Sequence, residues 1–332
     1  MIAEPADATA PSSLYGLSFL WLEITEKCNL ECSHCYADSG PRRELHGEMK
    51  LRDWYAVIQE SADLGCRQIQ FIGGEPTLHP DLERLVERAS TCGYTLIEVF
   101  TNATVFNDRL YRAFLRSRVQ VATSFYSDDP TIHDLITGRP GSFSRTVDGI
   151  KRIINTGLHV RAGIIETTEN AGHGQRAWRL LNDLGVSDVK IDFQRGVGRG
   201  EHRLYSPEPM SQLCGECWKG KLCVTPSGKA YPCVFSRFAQ LGAVTNGIRH
   251  IIDGAELLAF RANLSNHQRA RAVAEQCAPL GCSPTCSPCG PEYFIKKCQP
   301  GSSDCLPETR CTPACTPGAP CSPDTRCGPT SR

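Results

Sequence analysis

Two rhythms of apolar and polar positions take turns along the first two thirds of the chain. Residues 17–25 (LSFLWLEIT) are a nearly continuous apolar run with aromatic and β-branched side chains, which reads as a strand buried on both faces. Residues 49–64 switch to helical spacing, with Trp54, Val57, Ile58 and Leu64 on one face and Gly65 as the stop. Short apolar runs at 68–72, 95–100, 119–125, 159–166 and 186–193 read as further strands. Between them, 80–90, 108–116, 144–156 and 177–184 carry the helical period, for example through Leu82, Leu85, Val86 and Ala89, or Val147, Ile150, Ile153 and Ile154.

Strand and helix thus alternate about six times, the order that builds a parallel sheet with its crossover helices outside. In barrels of this kind the chemistry gathers at the C-terminal ends of the strands. Those ends read TEKCNLECSHCYADSG, GGEP, TNAT, SFYSDD, IIETTEN and FQRGVGRG, so polar and glycine-rich loops fall on one rim. The length from residue 17 to 195 is short for eight strands. The predicted fold is α/β, a partial (β/α)6 TIM-like barrel, with a small cysteine-rich C-terminal domain and a disordered tail. The expected division is a disordered leader over 1–16, the barrel over 17–200, the cysteine-rich domain over 201–298 and a Cys/Pro-rich tail over 299–332.

Charge narrows the function by exclusion. With 36 basic and 36 acidic residues the formal net charge is zero, which offers no electrostatic case for nucleic acid or an anionic membrane surface. No apolar run approaches a membrane span, and MIAEPADATAPSS lacks the basic start and apolar core of a secretory signal. A cytoplasmic location is expected. Nineteen cysteines in a leaderless chain then point to metal rather than to disulfides. Only Cys66 and Cys92 lie between Cys35 and Cys214, and fourteen lie from Cys214 onward. Cys66 and Cys92 read as inert buried thiols without partners. His79, His133 and His173 read as ordinary loop or capping residues.

The loop after the first strand carries the densest chemistry. Cys28, Cys32 and Cys35 form C-x3-C-x2-C, a spacing that lets three thiolates hold three irons of a cubane cluster and leaves the fourth iron open to an exogenous ligand. A zinc knuckle is the alternative, with His34 as fourth ligand.

In order along the chain, CNLECSHCY, GGEPTLHPDL, TNAT and SFYSDDPTIHDLITG resemble the radical S-adenosylmethionine (radical SAM) superfamily over about residues 21–199. The resemblance implies that Cys28, Cys32 and Cys35 ligate a [4Fe–4S] cluster whose open iron chelates the amino and carboxylate groups of SAM. Reductive cleavage of SAM would then give methionine and a 5′-deoxyadenosyl radical. It implies that His34 lies on the adenine side, where the family usually has an aromatic residue. Gly73, Gly74, Glu75 and Pro76 would receive the methionine amino group, Glu75 balancing its charge. Ser124 would touch the ribose hydroxyls or the SAM carboxylate, although SFYSDD is one residue longer than the family's S-L-D-G. Arg195 becomes a candidate for the SAM carboxylate or the adenine pocket. Taken one at a time these residues have plainer roles: a turn at Gly73-Gly74, a capping hydroxyl at Ser124, a solvated charge at Arg195.

The second half adds Cys214, Cys217, Cys223 and Cys233 in C-x2-C-x5-C-x9-C, with a hairpin turning at Ser227-Gly228. Cys214-x13-Gly228-x4-Cys233 resembles the opening of the SPASM extension, a domain with auxiliary iron–sulfur clusters. LGAVTNG and a helix over 251–263 resemble its sequel. Cys277, Cys282, Cys286 and Cys289 form a second set, a looser match to the family and one that also suits a closed zinc site. One or two auxiliary [4Fe–4S] clusters are expected. The remaining tail, with cysteines amid Pro, Ser, Thr and Gly, cannot build a core and reads as disordered, able to gather metal or lend a ligand.

The resemblance implies hydrogen-atom abstraction from a substrate, and members of this subgroup commonly modify ribosomally made peptides by crosslinking, epimerisation or oxidation. The expected partners are a precursor peptide and an electron donor such as flavodoxin or ferredoxin. The residues before the first strand are too few for the winged-helix element that many such maturases use to grip a leader. A separate recognition protein, or a substrate needing none, follows. A small-molecule dehydrogenase or epimerase of natural-product biosynthesis is the rival enzyme, and a non-catalytic zinc or iron–sulfur scaffold the rival of another class. No residue in the sequence identifies itself as a catalytic acid or base.

Overall fold

The computed structural model describes residues 16–203, 208–217 and 219–276. The leader, the set Cys277, Cys282, Cys286 and Cys289, and the tail lie outside the described residues. The described residues up to Ala262 form one compact unit. It runs β1 (Phe19–Thr25), α1 (Leu51–Asp63), β2 (Gln68–Gly73), α2 (Leu82–Thr91), β3 (Leu96–Phe100), α3 (Asp108–Arg116), β4 (Gln120–Phe125), α4 (Pro130–Thr137), α5 (Ser142–Asn155), β5 (Val160–Glu166), α6 (Gly174–Asp183) and β6 (Asp188–Phe193). After these come β7 (Lys221–Val224), β8 (Lys229–Tyr231), β9 (Gly242–Ala243) and α7 (Ile248–Ile252). Helix α8 (Ala255–Gln276) carries the chain into a second unit that begins at Asn263.

One sheet holds all nine strands, in the order β6-β5-β4-β3-β2-β1-β7-β8-β9. Strands β1 to β6 are parallel neighbours in sequence order, the arrangement expected of a TIM-like partial barrel. The sequence-predicted hairpin is present, and it does not stand apart. Strand β7 adds in parallel to the free side of β1, with Cys223 opposite Trp21, so the cysteine-rich region begins as an extension of the barrel sheet. The hairpin turn is held from below. The Met49 N–H donates to the Pro226 carbonyl at 3.0 Å, and a Cβ on Gly47 would stand 2.3 Å from that oxygen.

Side-chain alternation separates the two faces of the sheet. Leu20, Leu22, Ile24, Ile69, Phe71, Val99, Val121 and Ile164 are fully or almost fully buried, as are the helix residues Trp54, Ile58, Leu85, Phe114, Ile150 and Leu181 that supply the covering layer. Each such side chain contributes roughly 1.5–3 kcal/mol of burial. The opposite face carries Glu23, Gln70, Glu98 and Arg161. Glu98 is buried there, accepting from Gln70 Nε2 and from Arg161 Nη2 at 2.7 Å. A buried ion pair of this kind is costly to break one partner at a time.

Two elements differ from expectation. Residues 130–137, where the sequence pattern marks no helix, form helix α4. The Asp129 carboxylate accepts the Thr131 N–H at 2.8 Å, Pro130 occupies the first turn, and Gly138 closes it at φ 64°. The single helix expected over 251–263 is two, broken at Asp253-Gly254 between α7 and α8.

Candidate functional site

The three-cysteine loop leaves β1 at Thr25, whose hydroxyl donates to the Leu45 carbonyl at 2.7 Å and accepts the Lys27 N–H at 3.1 Å. The loop closes on itself through Cys28 N–H to Gly40 O at 3.2 Å. Backbone N–H groups point at two of the sulfurs, Leu30 at Cys28 Sγ and Ser39 at Cys35 Sγ, both at 3.4 Å. Burial, then the Glu75 carboxylate, pushes the Cys28 thiol far up. Burial and Cys35 push Cys32 up to about 12, against the lowering pull of Tyr126 and Arg199. The three thiols are therefore electrostatic neighbours, and a bound cation is what would let them ionise together. The hydroxyls of Ser33, Tyr36 and Ser39 in the same loop are buried without a hydrogen-bond partner. A cubane gives each thiolate its own iron, so three thiols on one loop, with N–H groups aimed at two of the sulfurs, fit a cluster.

Four strand ends brace the loop. After β2, a Cβ on Gly73 (φ 131°) would stand 2.4 Å from Thr25 O, and one on Gly74 2.2 Å from Lys27 O. Glycine alone permits that approach. The Gly74 and Glu75 N–H groups donate to those carbonyls at 2.8 Å each. Pro76 starts a 3-10 turn and is buried. Glu75 itself is fully buried. Its Oε1 accepts from Thr77 N–H at 3.0 Å, Thr77 Oγ1 at 2.6 Å and Thr101 Oγ1 at 2.6 Å, while Oε2 accepts the Asn102 N–H at 2.7 Å. Its carboxyl is raised by burial and pulled back by those four donors. The side chain ties the end of β2 to TNAT after β3. Asn102 Nδ2 donates in turn to Asn29 Oδ1 at 2.8 Å and reaches Cys28 Sγ at 3.8 Å. After β4, the end of α4 offers the Ile136 and Thr137 carbonyls to Ser33 and Glu31 N–H, each at 2.9 Å.

Ser124 and Tyr126 lie two residues apart and so share a side of β4's end. Tyr126 Oη is 4.0 Å from Cys32 Sγ and is hydrogen-bonded to Ser124. The Tyr126 ring meets His34 edge-on at 5.0 Å between centroids and lies 5.3 Å from the His133 ring. Ser124 and His34 thus come together around Cys32, with Tyr126 as the residue between them that the sequence pattern did not single out.

The fourth brace follows β6. Cβ atoms on Gly198 and Gly200 would stand 2.4 Å from Tyr36 O and 2.2 Å from Arg195 O. Arg195, the sequence candidate, donates to Asp192 Oδ1 at 2.9 Å and to Gln212 O at 3.4 Å and lies over the Phe235 ring, with its Nε buried and unpartnered. Arg199, which the sequence reading passed over, is the arginine on the loop. Its Nε donates to Cys32 O at 2.9 Å, Nη2 to Ser39 O at 2.7 Å, Nη1 to Asp38 Oδ1 at 2.8 Å, and its own N–H to Cys35 O at 3.0 Å. The available signal was GVGRG, glycines flanking one arginine.

In the second thiol set Cys214 Sγ and Cys217 Sγ are 4.0 Å apart, and Cys217 also bonds to Cys233. Those bonds raise Cys217 and lower Cys214 and Cys233. Cys223 stands on β7, fully buried, pushed up by burial and Glu23 while Arg237 opposes. Arg237 Nη1 is 4.0 Å from its sulfur, and Arg237 is ion-paired to Glu23. Tyr36, next to Cys35, meets Phe235, two residues past Cys233, edge-on at 5.4 Å. The two remaining cysteines among the described residues are not partnerless. Cys66 Sγ donates to Gln68 O and half-buried Cys92 to Gln59 Oε1, each at 3.4 Å. His79 Nδ1 accepts the Asp81 N–H at 3.2 Å, a capping role.

No helix among the described residues is long and apolar enough to cross a membrane. The antilisterial bacteriocin subtilosin biosynthesis protein AlbA of Bacillus subtilis is 24% identical over 256 residues, 67% of this chain and 56% of that protein. The chain thus spans a little over half the length of this curated relative. Streptococcus suis SuiB bound to S-adenosylmethionine superposes with TM-score 0.62 at 14% identity, over 74% of this chain and 68% of that one. SuiB has also been solved with its precursor peptide SuiA, at TM-score 0.62 and 13% identity over 75% of this chain and 67% of that one. AnSMEcpe with bound AdoMet superposes at TM-score 0.58 and 16% identity, over 74% of this chain and 82% of that one. Residues 22–171, the stretch that carries the cysteine loop, GGEP, TNAT and Ser124, match the family model of the Radical SAM superfamily.

Proposed function

We propose that this protein is a radical SAM enzyme that matures a ribosomally made peptide. The observation that carries the reading is the three-thiol loop, braced by four strand ends, with Ser124, Tyr126 and His34 gathered at Cys32. Cys28, Cys32 and Cys35 would hold a [4Fe–4S] cluster. Bound there with SAM, that group would supply the electron for reductive cleavage of SAM and so for hydrogen-atom abstraction from a substrate. Around it the chain's own residues position and shield. Gly73, Gly74 and Pro76 bring backbone to the methionine end, and Glu75 holds that backbone in place through Thr101 and Asn102 rather than by meeting the ammonium. Ser124 offers a hydroxyl to the ribose or carboxylate, His34 flanks the adenine, and Arg195 stands toward the second thiol set.

Cys214, Cys217, Cys223 and Cys233 are proposed to hold an auxiliary [4Fe–4S] cluster in a SPASM-like region joined to the barrel sheet. Cys277, Cys282, Cys286 and Cys289 are the candidates for a second. A peptide substrate is supported by the likeness to AlbA, named for bacteriocin biosynthesis, and to SuiB, solved with a precursor peptide. A low-potential donor such as flavodoxin or ferredoxin, a separate peptide-recognition protein and a cytoplasmic location complete the proposal.

The test is SAM cleavage after anaerobic reconstitution and dithionite reduction. 5′-Deoxyadenosine should form with the wild-type chain and be absent from a Cys28/Cys32/Cys35→Ala variant. Equal amounts from both, or none from either, would sink the reading and favour a metal-binding scaffold.

A further inference from the structure

Arg199 makes more bonds to the cysteine loop than any surface ion pair requires. Its guanidinium spans three acceptors on that loop, Cys32 O, Asp38 Oδ1 and Ser39 O, while its backbone N–H takes Cys35 O. The Asp38 contact alone counts for little, since that carboxylate is half exposed and shared with Arg43. The side-chain bonds to Cys32 O and Ser39 O matter more. They satisfy main-chain carbonyls of a segment that has no helix or strand of its own from residue 26 to 50. Only a planar fork with several fixed donors can do this from one side chain, and lysine cannot. The glycines at 198 and 200 let the strap after β6 lie flat enough for the fork to reach, because a Cβ at either position would collide with backbone. Asp38 holds φ 51°, a left-handed backbone that Asp and Asn tolerate, and presents its carboxylate to both arginines.

We propose that Arg199 is a positioning residue of the radical-generating site, fixing the cysteine loop from the strap after β6 and setting one permanent positive charge against it. The proposal rests on the cluster reading above. Three thiolates and a [4Fe–4S]2+ core carry a net charge of −1, and one-electron reduction makes it −2. A fixed cation therefore favours the reduced form. In the reduction tested, one electron comes from dithionite, and no bond or proton changes hands.

The experiment uses the reconstituted full chain as wild type, Arg199→Gln, Arg199→Lys and Asp38→Asn. The spectroscopic signal lost in Cys28/Cys32/Cys35→Ala defines the cluster, and if wild type shows no such signal the cluster reading itself fails. Two quantities are read, the reduced fraction at a fixed dithionite potential by electron paramagnetic resonance and the rate of iron release to a chelator. For Arg199→Gln the ratio of reduced to oxidised cluster should fall about tenfold and iron release should quicken. Arg199→Lys should keep the ratio near wild type yet release iron faster, because charge is retained and the fork is lost. Asp38→Asn should keep both the ratio and the release rate close to wild type, because that contact is half exposed and shared with Arg43, and Arg199→Lys decides the matter if Arg199→Gln does not fold. Wild-type ratio and release rate in Arg199→Gln would overturn the proposal, as would full recovery of both by lysine or a release in Asp38→Asn as fast as that of Arg199→Lys.

Discussion

Glu75 Oε2 accepts the Asn102 N–H at 2.7 Å, and the Asn102 side chain reaches on to Cys28 Sγ at 3.8 Å. The GGEP glutamate thus acts on the thiol loop at second hand, through TNAT. Glutamine at position 75 puts an NH2 group against a donor whichever way its amide turns, because both carboxylate oxygens already accept. Glu75→Gln should cost about 2–4 kcal/mol. Chemical denaturation of the cluster-free chain measures the loss. The same variant should hold less iron at the first site than wild type under equal reconstitution. Wild-type stability would show that the four bonds do not matter.

Two glycines of the barrel rim and wall make opposite predictions. A Cβ on Gly198, at φ 61°, would press on the Tyr36 and Cys35 carbonyls at 2.4 and 2.5 Å. Both are backbone atoms, which cannot swing aside, so Gly198→Ala should displace the loop and lose the iron of the first site while the second thiol set keeps its own. Gly163 on β5 has nothing within 4 Å of an added Cβ. Gly163→Ala should leave the melting temperature of the cluster-free chain within about 2 °C of wild type, since no atom is displaced. A large loss at Gly163 or none at Gly198 would contradict the packing described.

Iron counting separates the thiol sets. With Cys28, Cys32 and Cys35 replaced by alanine, about four irons per chain should remain if one auxiliary cluster is bound and about eight if two are, by cluster stoichiometry. Replacing Cys214, Cys217 and Cys233 in that background should remove about four more, because those three sulfurs are already grouped. Zinc in place of iron and sulfide at either set would overturn its assignment.

The parallel core was legible because its strands are apolar runs and its helices keep a 3.6-residue period. Residues 108–116 show this, predicted and found as one helix. Helix α4 escaped because PTIHDLIT is short and has little apolar periodicity, although Asp129-Pro130 and Gly138 marked its ends. Motif positions such as Cys28 and Gly73 could be read because the residue type itself carries the constraint, a thiol or a missing Cβ. Glu75, Arg195 and Arg199 could not be sorted the same way. A charged residue's role depends on which partners the fold delivers, and spacing along the chain does not encode that. Joining β7 to β1 was equally hidden, since the pairing of Trp21 with Cys223 spans most of the barrel.

Acid should weaken the fold through two buried histidines before the carboxylates contribute. His133 lies on α4 among Phe125, Tyr126 and Phe143, with Asp134 as its charged neighbour and Ser142 Oγ 3.2 Å from Nδ1. Burial lowers it to about 4, and burial with His46 nearby lowers His79 to about 4, against an ordinary 6.5. Between those values the unfolded chain binds a proton that the folded chain refuses. The stability each histidine contributes is therefore whole above about pH 6.5 and falls as pH drops toward 4, by about 2 kcal/mol apiece at pH 5. Urea unfolding of the cluster-free protein at pH 7.5 and 5.0 reads the slope. His133→Gln should shrink the pH 7.5-to-5.0 difference by about 2 kcal/mol, leaving the part that His79 supplies. An undiminished difference in that variant would mean His133 takes up its proton in the folded state and is not shut away beneath Tyr126.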